Sequence, residues 1–399
     1  MRNARLFVLA ALTVAAFGCR EKKQQVDVAA TKGEAPTTSA AATGDTVWIG
    51  HVGSLSGNDA VFGQSTDNGT KLAVEEQNKK NGIKGKKVML KTLDDQGKPE
   101  EAAVAATRLI TQDKVSVLLG EVASTRSLAM ASIADSNRIP MVSSGSTNPR
   151  VTKDGDKVRP YVFRICFLDN FAGTVMAKFV HENLKLTKVA ILRDVGNDYS
   201  MGLAQFFRET FQKNGGEIVA EQSFKAGEQD FKAQLTAIKG KNPELLYVPG
   251  YYAEVSLIAR QARELGMKLP LAGGDGWDSA KLYEVAKGAL DGSYFSTHYS
   301  GDDPSPTVQD FITRYKAVYN TPPDTLAVLG YDAAKVAMDA MDRATELSGP
   351  AIRDALEKTK DFKAVSGTVT IDPDHNPIKT AVIMSIEQNK AKYTATVQP

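Results

Sequence analysis

The sequence predicts an α/β fold with two lobes, each a doubly wound, Rossmann-like and largely parallel sheet. Short apolar runs alternate with amphipathic stretches from residue 46 onward, and the connections between them are short. That alternation requires parallel strands with helices on both faces of the sheet. An extended segment after Arg159–Pro160 interrupts the alternation before it resumes, and 399 residues exceed one ordinary domain. Two lobes of the same kind are therefore expected.

The elements of the first lobe follow from apolar runs and helix signals. Gly53–Gly63 is a glycine-rich loop before the first helix, and Pro99 opens the second helix, where its fixed φ fits the first turn. Val115–Leu119 is a continuous apolar run, typical of a strand that is buried on both faces. The expected elements are strand 46–52, helix 64–80, strand 88–93, helix 99–112, strand 115–119, helix 126–137 and strand 140–142.

The segment between residues 171 and 287 repeats this pattern and predicts the second lobe. The expected elements are helix 171–183, strand 188–192, helix 199–213, strand 218–222, helix 229–239, strand 244–248, helix 252–265, a short strand near residue 269 and helix 280–287. Helical segments 308–319 and 327–347 are expected to complete the first lobe. The tail 366–397 alternates apolar and polar residues and is expected to form antiparallel strands.

Three extended segments are expected to cross between the lobes as a hinge. They lie near Phe163–Phe167, Ser293–Thr297 and Val365–Asp372. The predicted boundaries are 1–19 for a signal segment, 20–45 for a tether, 46–164 with 298–365 for lobe I, and 165–297 with 366–399 for lobe II.

Two hydroxyl-rich loops predict a ligand site. Glu121–Thr125 follows one predicted strand and Ser143–Pro149 follows the next, so both loops are expected at the carboxyl edge of neighbouring parallel strands. In open α/β sheets that edge binds ligands, and hydroxyls and helix N-termini there favour an anion, either a carboxylate or a phosphate. Ser124 or Thr125 is also a suitable N-cap for the helix that follows. The alternative is that serine and threonine only cap and turn in these loops.

The composition indicates a small ligand rather than a polymer. The chain has 49 basic and 47 acidic residues, well interspersed, and a net charge of +2. We therefore expect no nucleic acid or acidic polymer as a partner.

The N-terminal residues predict export. Basic residues precede the apolar run Leu6–Phe17, and Cys19 follows at the place of a bacterial lipoprotein cleavage site. Lipidation of Cys19 is expected, with plain signal cleavage nearby as the alternative. Residues 20–45 lack large apolar side chains and are expected to form a flexible tether. With Cys19 lipidated, Cys166 has no disulfide partner and is expected to be a buried, inert thiol.

The sequence contains no set of residues in a pattern typical of an enzyme active site. The four histidines show no metal-ligand spacing, and neither a nucleophile elbow nor a phosphate-binding lysine loop occurs. Asp372–Asn376 begins like a calcium loop, but Pro377 stands where that loop needs glycine, so a turn is expected. We expect no catalysis, no metal and no cofactor.

Seven motifs in order carry a resemblance to a known family. They are Gly53–Gly57 with Phe62–Gly63, Asp94–Asp95, Gly120–Thr125, Ser143–Pro149, Asp198–Tyr199, Gly250–Tyr251 and Gly273–Trp277. With them the chain, from about Asp45 to its end, resembles the leucine/isoleucine/valine-binding proteins of ABC importers, a branch of the type I periplasmic binding proteins.

The resemblance implies roles for particular residues. Neutral donors of the first lobe that would hold a ligand α-carboxylate correspond to Ser124, Gly145 and Thr147. The acid that would hold the α-ammonium corresponds to Asp275, where the family often has glutamate. The aromatic residues that would close over the ligand correspond to Phe62, Tyr199, Tyr251, Trp277 and Tyr331, and Phe62 replaces a common tyrosine.

Each assignment has a plainer alternative. Asp275 stands between glycines and is also a typical turn residue. Tyr199 and Tyr251 would also serve as packing residues at helix starts. Arg126 is either an ordinary solvated helix residue or a partner for an acid on the ligand side chain.

The resemblance implies an extracytoplasmic solute-binding protein that delivers an amino acid, branched-chain or related, to an ABC permease. The protein would be monomeric and lipid-anchored to the membrane, in the periplasm or at the cell surface. The alternative is a sensor of the same fold that binds an amide, urea or another small metabolite and signals to a partner.

Overall fold

The computed structural model describes residues 44–399, in which the strands form two large sheets and two small two-stranded ones. The strands are, in chain order, β1 (Thr46–Gly53), β2 (Lys87–Asp94), β3 (Val117–Leu119), β4 (Met141–Ser143), β5 (Lys153–Asp154), β6 (Lys157–Val158), β7 (Val162–Arg164), β8 (Lys188–Asp194), β9 (Glu217–Phe224), β10 (Leu245–Tyr247), β11 (Leu271–Gly273), β12 (Tyr294–Thr297), β13 (Phe362–Ala364), β14 (Gly367–Val369), β15 (Ala381–Glu387) and β16 (Lys390–Val397). The predicted signal segment, Cys19 and residues 20–43 of the predicted tether lie outside the described residues.

Helices cover the faces of both sheets. They are, in chain order, α1 (Ala60–Lys79), α2 (Pro99–Thr111), α3 (Ser124–Asn137), α4 (Asp169–Lys178), α5 (Asp198–Lys213), α6 (Lys232–Lys239), α7 (Tyr252–Glu264), α8 (Ala280–Ala286), α9 (Pro306–Tyr319), α10 (Thr325–Arg343) and α11 (Gly349–Glu357). Short helical turns lie at Pro149–Val151, Phe179–Asn183 and Asp275–Trp277.

The first sheet has the strand order β2-β1-β3-β4-β7, and all its neighbours are parallel. The chain moves outward from β1 to β2 and then returns to place β3 on the other side of β1. Loops that leave β1 and β3 therefore diverge at the carboxyl edge and open a crevice there. Both predicted hydroxyl-rich loops begin at this edge.

The second sheet has the strand order β16-β15-β12-β11-β10-β8-β9. Strands β8 to β12 are parallel, and β15 and β16 extend the sheet as antiparallel strands. Its order reverses between β8 and β10, so a second crevice lies at that carboxyl edge. The predicted fold class is confirmed.

Helix α10 returns to the first lobe and packs against α1. A side-chain carbon at Gly69 would lie 1.9 Å from the Ala327 carbonyl oxygen, and one at Gly330 would lie 2.3 Å from the Thr66 carbonyl oxygen. Only glycine permits this approach of the two helix backbones. A segment that follows the second lobe in sequence thus completes the core of the first.

The local predictions differ from the structure in several places. Helix α1 begins at Ala60 rather than at residue 64, and α4 continues from Lys178 into a π-helical turn. The expected crossing segments contribute strands, because β7 pairs within the first sheet and β12 within the second. The lobe boundaries themselves stay a prediction.

The first predicted crossing segment, near Phe163–Phe167, lies beside the turn that follows the third, near Val365–Asp372. The His375 ring stacks on Phe163 with centroids 4.0 Å apart. The backbone carbonyl of His375 accepts a hydrogen bond from the backbone N–H of Arg164. The Asp372 side chain accepts the backbone N–H groups of Asp374 and Asn376, so this segment is a turn, as predicted. Cys166, in the first predicted crossing segment, is fully buried, and burial raises the pKa of its thiol to about 12. A thiol with that pKa is almost fully protonated at pH 7, as expected of an inert cysteine.

Candidate functional site

The start of α3, which follows the loop after β3, contacts the loop after β4 through its side chains. Ser124 is the first helical residue and Ala123 is the N-cap, so the predicted hydroxyl cap is wrong. The Ser124 hydroxyl instead accepts the backbone N–H of Asn148 at 3.2 Å. Because this bond uses the oxygen as an acceptor, the hydroxyl hydrogen can still be donated. Thr125 accepts the backbone N–H of Asp198, from the second lobe, at 2.9 Å.

The loop after β4 is rigidly held from inside the protein. The hydroxyls of Ser143 and Ser146 donate to the Glu121 carbonyl at 2.8 and 2.9 Å. From the opposite side the fully buried Arg164 guanidinium donates to the carbonyls of Ser146 and Asn148 at 2.5 and 2.9 Å. The arginine thus binds carbonyls of this loop, while the Ser143 and Ser146 hydroxyls are used within the protein. Two of the predicted hydroxyls are thus structural.

Asp275 belongs to the second lobe and lies across the cavity from the loop after β4. It stands in a turn where glycines allow close packing. We call the two sides of this cavity the first wall and the second wall, after the lobes that form them. A side-chain carbon at Gly274 would lie 2.5 Å from the Tyr199 hydroxyl, and one at Gly276 would lie 2.7 Å from the Gly250 carbonyl. The Asp275 side chain is only 7% exposed. Among the described residues its Oδ1 has no hydrogen-bond partner.

His298 contacts the other oxygen of this carboxylate. Its Nε2 lies 3.1 Å from Asp275 Oδ2, and its ring stacks on Phe167. Burial lowers the pKa of His298, although the neighbouring Asp275 opposes this effect. The imidazole is therefore neutral at pH 7, and Nε2–H can donate a hydrogen bond without neutralising the carboxylate. Sequence reasoning considered His298 only as a metal ligand and missed this contact.

Aromatic side chains from both lobes meet between the walls. Phe62 packs edge-on against Tyr251, with centroids 5.5 Å apart, and against Tyr252, at 4.9 Å. Tyr251 in turn stacks on Tyr199 at 5.3 Å. The Tyr199 hydroxyl accepts the backbone N–H of Gly276 at 3.1 Å, which fixes this ring against the Asp275 turn.

These groups enclose a small cavity between the lobes, which we call the inner cavity. Its lining consists of Phe62, Val122, Gly145, Tyr199, Tyr251, Asp275, Gly276 and Leu326. Its volume is about 10 Å³, about the room for one water molecule. An amino acid therefore requires the walls to move apart.

Five of the nine predicted ligand-binding residues line the inner cavity. Ser124 and Thr147 are buried beside it and are not among its lining residues. Trp277 requires a correction, because its ring is fully buried and its indole N–H donates to the Val248 carbonyl at 3.0 Å. Tyr331 is also placed elsewhere, since its hydroxyl donates to Glu76 at 2.6 Å in the first lobe. These two aromatic residues are packing residues.

Arg126 is buried and paired with acidic residues, so the prediction that it is an ordinary solvated helix residue is wrong. It is 5% exposed, and its Nε and Nη1 donate to Glu121 and Asp59, both at 2.9 Å. Asp95 lies 3.8 Å from Nε. Burial raises the pKa of Glu121 to about 7, although Arg126 opposes this effect. The sequence contains no sign of this cluster beyond the charges themselves, because Asp59, Asp95 and Glu121 from three loops are brought to Arg126 on α3.

The comparisons with known proteins agree with this architecture. A family model described as periplasmic binding protein matches residues 46–392. Over 325 residues the chain is 32% identical to Leu/Ile/Val-binding protein homolog 3 of Brucella melitensis, which covers 81% of this chain and 86% of that protein. A solved leucine-binding protein of Thermotoga maritima is 38% identical with a TM-score of 0.84, covering 88% of this chain and 99% of that one. A branched-chain amino acid transporter substrate-binding protein of Streptococcus pneumoniae, solved with isoleucine, is 36% identical with a TM-score of 0.83, covering 89% and 100%.

The chain belongs to the periplasmic binding protein family. Within that family it is similar to proteins named for leucine, isoleucine and valine. The resemblance drawn from the sequence motifs is thus confirmed. In residues 44–399 every helix is too short or too polar to span a bilayer. The same residues contain no group of three histidine, cysteine or acidic side chains placed to hold a metal ion.

Proposed function

We propose that the protein binds an α-amino acid between its lobes and delivers it to an ABC permease. The observation that carries this proposal is the division of charge between the two walls. On the first wall Gly145 lines the cavity, with the neutral donors Ser124 and Thr147 buried beside it, and on the second wall the acidic side chain of Asp275 has a neutral histidine as its neighbour. A zwitterion with its carboxylate on one side and its ammonium on the other matches that division.

The residue roles follow from this arrangement. The Ser124 hydroxyl and the backbone N–H groups of Gly145 and Thr147 would bind the α-carboxylate, since neutral donors suit an anion without a buried cation. Asp275 would bind the α-ammonium, which loses its water when the lobes close. Phe62, Tyr199 and Tyr251 would pack against the side chain of the ligand, with Val122 and Leu326 as additional apolar walls.

Binding would be coupled to movement of the lobes about the connecting segments. The lobes touch in the structure, since Asp198 at the start of α5 contacts Thr125, Asn148 and Arg150 of the first lobe. The inner cavity is too small for an amino acid, so entry requires an open state, and ligand that contacts both walls would favour the closed one. We retain the predicted lobe boundaries for this hinge.

The location and partners are part of the proposal. The basic and apolar start of the sequence and Cys19 support export and lipid anchoring in the periplasm or at the cell surface. A monomer would present both lobes to a permease.

Isothermal titration calorimetry with the purified protein tests the proposed ligand class. Leucine, isoleucine, valine and other α-amino acids would be compared with matched acids that lack the amino group and amines that lack the carboxylate. We expect binding only when both groups are present. Tighter binding of a simple amide, urea or a carboxylic acid without the amino group would replace this proposal with the sensor of small metabolites.

A further inference from the structure

The turn that bears Asp275 is held by two consecutive residues at the end of β12. Thr297 is the last residue of this strand, and His298 follows it. The Thr297 hydroxyl donates to Asp278 Oδ2 at 2.9 Å, and His298 Nε2 lies 3.1 Å from Asp275 Oδ2. Asp275 begins the short helical turn and Asp278 is its C-cap. The end of one strand, in a predicted crossing segment, therefore contacts both ends of the turn.

The same turn is also bound to α10. Thr325, the first residue of that helix, donates its hydroxyl to Asp278 Oδ2 at 2.5 Å. The next residue, Leu326, lines the inner cavity. The turn is thus attached both to a predicted crossing segment and to the helix that supplies an apolar side of the cavity.

The His298 ring is fixed in position, and its contacts indicate where its proton lies. The side chain is 0% exposed and stacks on Phe167, with centroids 3.6 Å apart and 22° between the ring planes. Burial lowers the pKa of His298 and the charge of Lys379 lowers it further, whereas Asp275 raises it. Nδ1 has no partner among the described residues. A proton on Nδ1 would be a buried donor without an acceptor, whereas a proton on Nε2 can be donated to Asp275.

This contact orients the acid without competing for its charge. A lysine or arginine in the same place would also hold Asp275, but its charge would repel the ammonium of a ligand. A neutral Nε2–H holds one oxygen and leaves the negative charge to the ligand. Resting on the proposed function, we propose that His298 is a positioning residue that fixes Asp275 for the ligand ammonium and ties this acid to the crossing segments.

The first test observes the proton on His298 directly. Two-dimensional NMR of protein with ¹⁵N-labelled histidine distinguishes the two neutral tautomers from each other and from the imidazolium. The chain has four histidines, so the His298→Gln variant identifies the signals of this ring. At pH 7 we expect the Nε2–H tautomer. An Nδ1–H tautomer or an imidazolium overturns the inference and leaves the proposed function intact.

The ligand for the remaining tests is leucine, isoleucine or valine, whichever binds the parent most tightly by calorimetry. Saturation with this amino acid should shift the His298 signals, because the ammonium would bind to the acid that this ring contacts. Unshifted signals in a protein that binds the amino acid also overturn the inference. If none of the three amino acids binds the parent, the proposed function fails together with the inference.

Two variants separate positioning from packing. His298→Phe keeps a ring to stack on Phe167 and removes the donor, whereas His298→Gln offers an uncharged N–H donor again. His298→Phe should weaken binding by about 10-fold or more, because hydrogen bonds to a charged group typically contribute that factor. His298→Gln should recover most of this loss. His181→Phe, a matched change beside Phe211, should leave the affinity unchanged.

The pattern across these variants decides between the two roles. Parent affinity in His298→Phe overturns the inference while the proposed function stands. An equal loss in His298→Phe and His298→Gln also overturns it, since the ring would then serve only packing. Thr297→Val removes one of the two hydroxyls on Asp278 and should weaken binding by a smaller factor than His298→Phe, because the Thr325 hydroxyl remains.

Discussion

Replacing Asp275 tests the charge division on which the proposed function depends. The carboxylate is 7% exposed, one oxygen contacts a histidine that is neutral at pH 7, and the other has no partner among the described residues. An ammonium group that enters the closed cleft would therefore depend on Asp275 for its counter-charge. Removing one member of a buried charged pair typically costs about 2–5 kcal/mol. Asp275→Ala should thus weaken binding by about 30-fold to several thousand-fold.

Two further substitutions separate charge from shape. Asp275→Asn keeps an oxygen for His298 Nε2 and loses only the charge, so its cost should be about 1.5–3 kcal/mol. Ser124→Ala removes a neutral donor while the backbone N–H groups remain, and should cost about 1–3 kcal/mol. Asp339→Ala, at a surface ion pair on α10, is the control for loss of a carboxylate elsewhere.

The assay is calorimetry of the tightest amino-acid ligand with each variant, with circular dichroism to show that folding is retained. The affinity should fall most for Asp275→Ala, less for the other two cleft variants and not at all for Asp339→Ala. If Asp275→Ala binds as tightly as the parent, the ammonium is not held by this residue and the amino-acid assignment fails.

Two more predictions concern stability and shape. Glu121 has a pKa of about 7 in the folded protein against about 4.5 unfolded, so its stabilising contribution should be present below pH 4.5 and fall by about 3 kcal/mol as the pH rises through 7. Glu121→Gln should lack this fall in urea denaturation between pH 4.5 and 8, and parallel profiles for variant and parent would contradict the assignment. For the hinge, small-angle scattering should show a smaller radius of gyration with saturating ligand, and an unchanged profile would count against closure.

The sequence predicts the fold well because the fold depends on local patterns. Apolar runs such as Val115–Leu119 and breakers such as Pro99 mark elements that the structure contains, with ends shifted by a few residues. The first residue of a helix is harder to predict from sequence. A hydroxyl that could cap the helix can instead bind a group from another part of the chain. Ser124 illustrates this limit, since its oxygen binds Asn148 of the next loop instead of its own helix.

The composition of the candidate site is predicted only in part. Phe62, Gly145 and Asp275 lie in motifs with distinctive neighbours, and each lines the inner cavity. Trp277 lies in the same motif as Asp275 and yet turns into the core, because the sequence does not specify which side of a turn a side chain takes. The Glu121 cluster is missed for a related reason, since charges that are distant in sequence show no pattern until the loops fold together.

Leu326 shows how a residue without any sequence signal reaches the site. It lies one helical turn before Gly330, whose missing side chain lets α10 approach the Thr66 carbonyl on α1. Phe62 lies one turn before Thr66 on α1, so the contact that joins the two helices also brings Leu326 and Phe62 to the same cavity. The packing that completes the first lobe from a distant part of the chain therefore also forms the apolar wall of the ligand site. A side chain at Gly330 would force the helices apart, so we infer that it would change the shape of the inner cavity even though Gly330 does not line it.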